Sequence, residues 1–527
     1  MKLFSKKIQL PCYVYAFSLL CLFGYNFTLI RQIFAAEKSP IECLAMIACI
    51  YLFFNMAFLL LFWKKITKIL SIFFILANAA LSYFMIIYNT AIDQVMLLNA
   101  LRTDIYEVQA LLNFKLFLHI IGLGILPAVV VYKLKFENCP IASRAKHLAI
   151  NLVLLLLIVL PNLKVADNIW REQKHLRYYL LPTNYIGSVI SMLRDADFST
   201  HETVTIGDDI SIEKYWNNDK KNLIVFVVGE TARAANFSLG GYNRPTNDAL
   251  LPYQQNFAYF SNFFACGTST AVSVPCMFSA YPQKGFKPAT AAYTENLTDI
   301  MQKAGYKSLW RENNTGCQKV CRRIEVEKLC KKKHCNDEIL LTNFEERIYD
   351  AGKDMFLILH QRGSHGPDYY NMYPKSFEKY KPVCKTNILP KCKKQKLINA
   401  FDNTIEYTSY FLAQTMSKLD KMSDEYNILM IYSSDHGESL GENKVYLHSA
   451  IYKNAPIEQI HIPFFIWMPK STQNELGYDM NCLQKIAKKR FSHDNIFHTI
   501  LGFSGAKTNV YNAGSDILAK CKKSLAK

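Results

Sequence analysis

Two stretches of the chain end an apolar run with side chains able to hold a metal. Residues 223–228 lead into Gly229-Glu230-Thr231-Ala232-Arg233, and residues 428–432 lead into Ser433-Ser434-Asp435-His436-Gly437-Glu438. Along a strand, neighbouring side chains point to opposite faces, but at a turn both can point inward. Asp435 and His436 are adjacent at such a turn, and carboxylate oxygens with an imidazole nitrogen suit zinc or manganese. A surface turn opening a capped helix is the alternative for an isolated Asp-His pair. Glu230, at the end of a second apolar run, weighs toward the metal.

A third stretch supplies hydroxyls. Ala265-Cys266-Gly267-Thr268-Ser269-Thr270-Ala271-Val272-Ser273-Val274-Pro275-Cys276 places small hydroxylated residues ahead of an apolar segment. That is the pattern of a helix N-terminus, whose free N–H groups can hold a phosphate. A hydroxyl there is either a cap or a nucleophile. A metal nearby favours the nucleophile, because coordination makes an alcohol easier to deprotonate. Spacing alone does not choose among Thr268, Ser269 and Thr270.

The elements that must position these groups are strands buried on both faces. Residues 223–228, 355–359, 428–432 and 462–467 are continuous apolar runs rather than alternations, as in a parallel sheet covered by helices. Helical patterns such as 397–419 intervene, so residues 216–527 are expected to form a doubly wound α/β domain with its chemistry beyond the carboxyl ends of the strands.

The first part of the chain is different. Of 527 residues, 50% are hydrophobic and only 20% charged, which excludes a disordered chain, a collagen-like fibre and a small disulfide scaffold. Residues 12–30, 43–63, 69–92, 116–132 and 148–163 carry no charge, which excludes a fully soluble enzyme and predicts a five-helix transmembrane domain over 1–163. Lys2, Lys6, Lys7, Lys64, Lys65, Lys68, Lys133, Lys135, Arg144 and Lys146 outnumber Arg31, Lys38, Arg102 and Lys115 in the opposite loops. The N-terminus is therefore expected in the cytoplasm and the α/β domain outside it. Ten of the 15 cysteines fall between Cys266 and Cys521, at spacings that read as local disulfide staples in an exported domain. A zinc cluster is the alternative for Cys317, Cys321, Cys330 and Cys335. Residues 164–215 form a bridge in which Trp170-Arg171-Glu172-Gln173-Lys174-His175-Leu176-Arg177-Tyr178-Tyr179 interleaves basic and aromatic side chains. Amphipathic helices at the lipid surface, or a solvated linker helix, fit that pattern. The net charge of +18 then points to anionic membrane lipids rather than to nucleic acid.

Gly-Glu-Thr-Ala-Arg at 229–233, Cys-Gly-Thr-Ser-Thr-Ala at 266–271 and Ser-Asp-His-Gly-Glu-Ser-Leu-Gly-Glu-Asn at 434–443, behind five spans, resemble the lipid A phosphoethanolamine transferases. That group includes the mobile colistin-resistance enzymes and lies within the alkaline phosphatase and sulfatase superfamily. The resemblance implies that Thr270 is the nucleophile and that Glu230, Thr270, Asp435 and His436 bind a catalytic zinc. His365 and His448 match histidines that assist the phosphate or a second zinc. Asn99, Thr103 and Glu107, spaced for one face of a helix, match substrate-headgroup positions, as does Thr315; Gln318 stands where relatives carry a basic residue. Cys266–Cys276 and Cys384–Cys392 have family-like spacing, with Cys317–Cys321 and Cys330–Cys335 as further pairs.

The implied activity is a zinc-dependent transfer of phosphoethanolamine from phosphatidylethanolamine to a lipid A phosphate, through a threonine-bound intermediate. It would take place on the periplasmic side of a bacterial inner membrane, in a monomer. The added amine would weaken attraction of polymyxins and other cationic peptides. The same chemistry on a core sugar or protein, or phosphoglycerol transfer, are the alternatives. A sulfatase would need a Cys-x-Pro-x-Arg signature, but Cys276 is followed by Met-Phe-Ser.

Overall fold

The computed structural model describes residues 7–37, 39–102, 105–163, 167, 173–195, 202–216, 218–332 and 335–523, the side chains of 105–107 and 195 excepted. Two compact units divide the chain: Met1–Leu97 with Leu112–Arg194, and Leu98–Leu111 with Asp195–Lys527.

In the first unit, Pro40–Leu61, Thr67–Tyr88, Phe114–Lys133 and Ile141–Asn162 are 20 or 22 residues long and apolar enough to cross a membrane. At about 1.5 Å per residue they reach about 30 Å, the thickness of a hydrocarbon core. The charge-free run nearest the N-terminus is a bent pair instead, Leu10–Tyr25 and Phe27–Ala36, meeting at 69°. Asn26 at the break is buried, and its amide replaces the lost helical bonds. Nδ2 donates to the carbonyls of Cys21 (2.8 Å) and Leu181 (2.9 Å), and Oδ1 accepts from the Leu181 N–H (2.8 Å). The described residues thus hold four spanning-length helices, or five if the bent pair is one span. Of the expected bridge, 164–166, 168–172 and 196–201 lie outside the described residues.

The second unit is built on a sheet of seven strands: β1 (Lys221–Gly229), β2 (Phe257–Tyr259), β3 (Lys307–Glu312), β4 (Glu325–Lys328), β5 (Met355–His360), β6 (Tyr426–Ser434) and β7 (Phe464–Trp467). Their spatial order is β2-β7-β6-β1-β5-β3-β4. From β6 to β4 every pairing is parallel, and Leu223 to Val228 are fully buried because the sheet is covered on both faces. Ile224, Phe226 and Val228 face one core and Leu223, Val225 and Val227 the other. The second core is closed by helix α2 (Lys394–Asp420), which lays Leu397, Phe401, Ile405, Leu412, Met416 and Leu419 against the sheet.

One strand departs from expectation. β7, from the 462–467 run, pairs antiparallel with β6, and β2 pairs antiparallel with β7. A parallel neighbour needs a crossover, usually a helix. Between β6 and β7 the chain forms only two-residue strands and three-residue helical turns, so it re-enters the sheet from the rim it left. The sheet is mixed for that reason.

All ten cysteines of the second unit are paired, as Cys266–Cys276, Cys317–Cys321, Cys330–Cys335, Cys384–Cys392 and Cys482–Cys521. Cys317, Cys321, Cys330 and Cys335 are thus disulfide-bonded rather than gathered on a metal. Cys12, Cys21, Cys43, Cys49 and Cys139, all in the first unit, are free.

The five closures differ in size, with partners 4 residues apart for Cys317–Cys321 and 39 apart for Cys482–Cys521. Loop-closure entropy assigns about 2 kcal/mol to the first and about 4 kcal/mol to the second. Replacing Cys482 and Cys521 by serine should therefore lower the thermal midpoint roughly twice as far as the same change at Cys317 and Cys321. Equal shifts in calorimetry would contradict that ranking.

Candidate functional site

β1 and β6 run side by side with Gly229 opposite Ser434, so the next residues, Glu230 and Asp435, leave the sheet together. Their turns are stitched to each other. The Asp435 N–H donates to the Gly229 carbonyl (2.9 Å), the Thr231 N–H to Asp435 Oδ1 (3.1 Å), and the Ala232 N–H to Ser434 Oγ (2.8 Å). Thr231 sits at φ +63°, a left-handed conformation costly for a β-branched residue. Its hydroxyl donates to Glu230 Oε1 at 2.6 Å, so the strain is spent on holding that carboxylate. Gly437 completes the Asp-His-Gly turn because a Cβ there would overlap the carbonyl oxygen of Glu458.

His436 is oriented from both ends. Its N–H donates to Asp435 Oδ1 (2.7 Å), and ring Nδ1 lies 2.9 Å from the Gly437 carbonyl, which fixes the proton on Nδ1. Nε2 is left facing Glu230 Oε1 (3.3 Å), Asp435 Oδ2 (3.3 Å) and Thr270 Oγ1 (3.2 Å). Thr270 opens helix α1 (Thr270–Met277), and its Oγ1 is also 3.3 and 3.2 Å from the two Glu230 oxygens. Among the three hydroxyls, Thr268 donates to the Ala450 carbonyl (2.6 Å) and Ser269 Oγ makes no hydrogen bond; only Thr270 faces the carboxylates. The Cys266–Cys276 bridge ties the loop before Thr270 to the end of α1.

The site is buried and rich in carboxylate. Glu230, Asp435 and His436 are buried, with donor atoms within 4.8 Å of one another. Burial works against a charge on His436, but Asp435's charge, with Glu230's hydrogen bond and charge, raises the imidazole to about 10. Burial and the Glu230 charge push Asp435 up. Burial would do the same to Glu230, yet His436 and His365 hold it well below the usual carboxylate range. Asp435 Oδ2 is buried with no hydrogen-bond partner. An orphaned carboxylate oxygen, a second carboxylate, a hydroxyl and an imidazole whose other nitrogen is anchored are a donor set that fits a divalent ion such as Zn2+ or Mn2+.

Two further histidines flank it. The His448 ring centroid is 4.5 Å from that of His436 and 5.9 Å from that of His365. His448 Nδ1 is 3.2 Å from Glu438 Oε2, and the Tyr369 hydroxyl donates to Glu438 Oε1 (2.9 Å). Leu447 and Ser449, on either side of His448, both have positive φ, which turns the chain so that the ring reaches the site. Thr315 follows Asn314 in the loop beyond β3, and its N–H donates to Asn314 Oδ1 (2.8 Å). Of the expected headgroup stripe, Asn99 lies on the helix Gln94–Arg102 and belongs to this same unit. Thr103 and the Glu107 side chain lie outside the described residues.

Several supporting residues carried no sequence signal. Asn314 Nδ2 donates to Glu230 Oε2 (2.9 Å) and to the Gln361 carbonyl (2.8 Å). His493 accepts the Cys266 N–H on Nδ1 (3.1 Å) and donates from Nε2 to the Ser434 carbonyl (3.0 Å). It thereby joins the loop of Thr270 to the strand of Asp435, from nearly 60 residues beyond that strand.

Residues 222–506 match the family model described as sulfatase, and residues 50–196 that described as phosphoethanolamine transferase EptA/EptB. The chain is 36% identical to phosphoethanolamine transferase EptA of Escherichia coli (strain K12) over 469 residues, 86% of this chain and 85% of that protein. The chain belongs to the phosphoethanolamine transferase family. Another member, phosphatidylethanolamine transferase Mcr-1 of Escherichia coli, is 37% identical over 400 residues, 72% of this chain and 74% of that protein. The structure of the integral membrane protein lipooligosaccharide phosphoethanolamine transferase A from Neisseria meningitidis superposes with a TM-score of 0.95 at 32% identity, covering 98% of this chain and 100% of that one. Family membership makes the chain a transferase on an alkaline phosphatase and sulfatase-like fold.

Burial holds His493 neutral down to about 3, the Ser434 hydrogen bond opposing it only in part. An unfolded histidine takes a proton below about 6.5, so the native chain loses stability as pH falls through that value. His493→Gln removes the effect. The stability difference between the wild type and this variant should shrink by about 2 kcal/mol from pH 7 to pH 5, at about 1.4 kcal/mol per pH unit. Thermal midpoints of the solubilised chain at both pH values would show it, and a pH-independent difference would contradict it.

Proposed function

We propose that this chain transfers phosphoethanolamine from phosphatidylethanolamine to a phosphate of lipid A, through an ester of Thr270, with zinc held by Glu230, Thr270, Asp435 and His436. The observation that carries the reading is the convergence of Thr270 Oγ1 and two buried carboxylates on the one free nitrogen of His436. Zinc bound there supplies positive charge that favours the ionised alcohol and offsets charge on phosphate oxygens.

The chain's own groups account for the rest. In the first displacement, Thr270 Oγ bonds to the phosphorus, the bond to diacylglycerol breaks, and diacylglycerol leaves with a proton. Glu230, within hydrogen-bond reach of the Thr270 hydroxyl, orients it, and the proton that the alcohol gives up is passed on to the departing diacylglycerol oxygen. In the second displacement, a lipid A phosphate oxygen attacks the same phosphorus, and Thr270 Oγ leaves and regains a proton. His448, steered by Glu438, and His365 stand where they can orient the phosphoryl oxygens or pass that proton. Positioning and electrostatics carry most of the rate in phosphoryl transfer.

We infer a periplasmic catalytic part over 216–527, held by an inner-membrane part over 1–163 and the bridge 164–215. Five disulfides in the second unit and the spanning-length helices of the first support this arrangement. Both substrates are lipids, so a tethered domain searches a surface rather than a volume.

Mass spectrometry of lipid A from cells making the wild type or Thr270→Ala tests the reading. One added phosphoethanolamine is expected with the wild type and none with the variant. Full decoration by Thr270→Ala would remove Thr270 as the nucleophile, and unmodified lipid A with both would point to another acceptor. Asp435→Asn should lower bound zinc in the purified chain at least tenfold, measured by elemental analysis.

A further inference from the structure

Helix α1 contains a proline where its own hydrogen bonding needs an N–H. The Ala271 carbonyl would accept from residue 275, but Pro275 has no N–H to give. Arg102 takes the vacant place: Nη1 donates to the Ala271 carbonyl at 3.2 Å, one residue beyond Thr270, and to Gln318 Oε1 at 3.1 Å. Arg102 lies in the segment Leu98–Leu111, which belongs to the same unit as the site.

The guanidinium is half-buried and has no carboxylate partner among the described residues. Nε and Nη2, the edge that meets a phosphate through two parallel bonds, make no hydrogen bond to any described residue. Among the described residues, the charges that act on its neighbour Lys319 are positive. Burial and the charges of Arg322 and Arg102 hold the Lys319 ammonium below its usual range, and no described carboxylate pairs with Lys319 or Arg322. Gln318 and Lys319 are both held at positive φ, an unusual conformation for side-chain-bearing residues in succession. A half-buried cation with no counter-ion among the described residues is well placed to receive an anion.

We propose that Arg102 is the phosphate-binding arm of this site: anchored through Nη1 on the carbonyl that Pro275 frees, it presents its Nε–Nη2 edge to the phosphate oxygens of the anion that reacts at Thr270. The proposal rests on the transferase reading above for the identity of that anion. Its chemistry is shared by the phosphodiester of the donor and the phosphate of the acceptor.

The test uses the full-length, zinc-loaded chain in detergent, with inorganic phosphate as the probe in calorimetry. Arg102→Gln should weaken phosphate binding about tenfold or more, and Arg102→Lys should restore part of it. Gln318→Glu leaves Arg102 in place but gives it a counter-ion, and should weaken binding to a similar extent. Zinc content and thermal midpoint should stay at wild-type values. Equal phosphate affinity in the wild type and Arg102→Gln overturns the proposal, as does a wild type that binds no phosphate. If Arg102→Gln loses zinc or fails to fold, Gln318→Glu decides, and unchanged binding in it overturns the proposal. Two kinetic arms separate the sources. A raised KM for diacylglycerol release, with kcat little changed, assigns the arm to the donor; a raised KM confined to transfer onto lipid A assigns it to the acceptor. A wild type that catalyses neither step would defeat the transferase reading while leaving the phosphate-binding comparison intact.

Discussion

Two carboxylates buried against a single imidazole are the constraint around which this molecule is arranged. Glu230 and Asp435, buried side by side, are costly to keep ionised together without a cation between them, and His436 alone supplies that cation only by keeping a second proton. A divalent ion resolves the conflict better, because it can meet both carboxylates and the imidazole lone pair at once. Two carboxylates brought together in a buried site are unfavourable by themselves, so the surrounding fold must impose the arrangement. The β1–β6 register does so, with the left-handed Thr231 and the chain reversal at Gly437.

Thr270 is held by separate means. Thr270 reaches the pocket from a short helix whose preceding loop is bolted down three times: by the Cys266–Cys276 bridge, by the bond from the Cys266 N–H to His493, and by the Thr268 hydroxyl on Ala450. Each fastening comes from a different part of the chain. The site therefore depends on contacts from across the domain, although Glu230, Thr270, Asp435 and His436 occupy three short stretches.

Those three stretches were legible in the sequence because each is local. A continuous apolar run ending in Glu230, or in Asp435-His436-Gly437, announces a buried strand and its rim, and the resemblance singled out Thr270 where spacing could not. What was hidden is non-local. Nothing about Asn314 or His493 as residue types marks them as supports; they matter through contacts made across the fold. The direction of β7 is not written in its apolar run, which reports burial and not orientation. The bend at Asn26 was likewise invisible, since a charge-free stretch looks the same straight or broken.

The disulfide pattern has a consequence for how the protein is made. From Cys266 to Cys521, every cysteine is bonded to its immediate neighbour in sequence, with no crossing and no nesting. A chain emerging N-terminus first into an oxidising compartment would offer its thiols in the order in which they pair. Joining each newly exposed thiol to the one before it would yield the native set directly, with no pairing left to be rearranged.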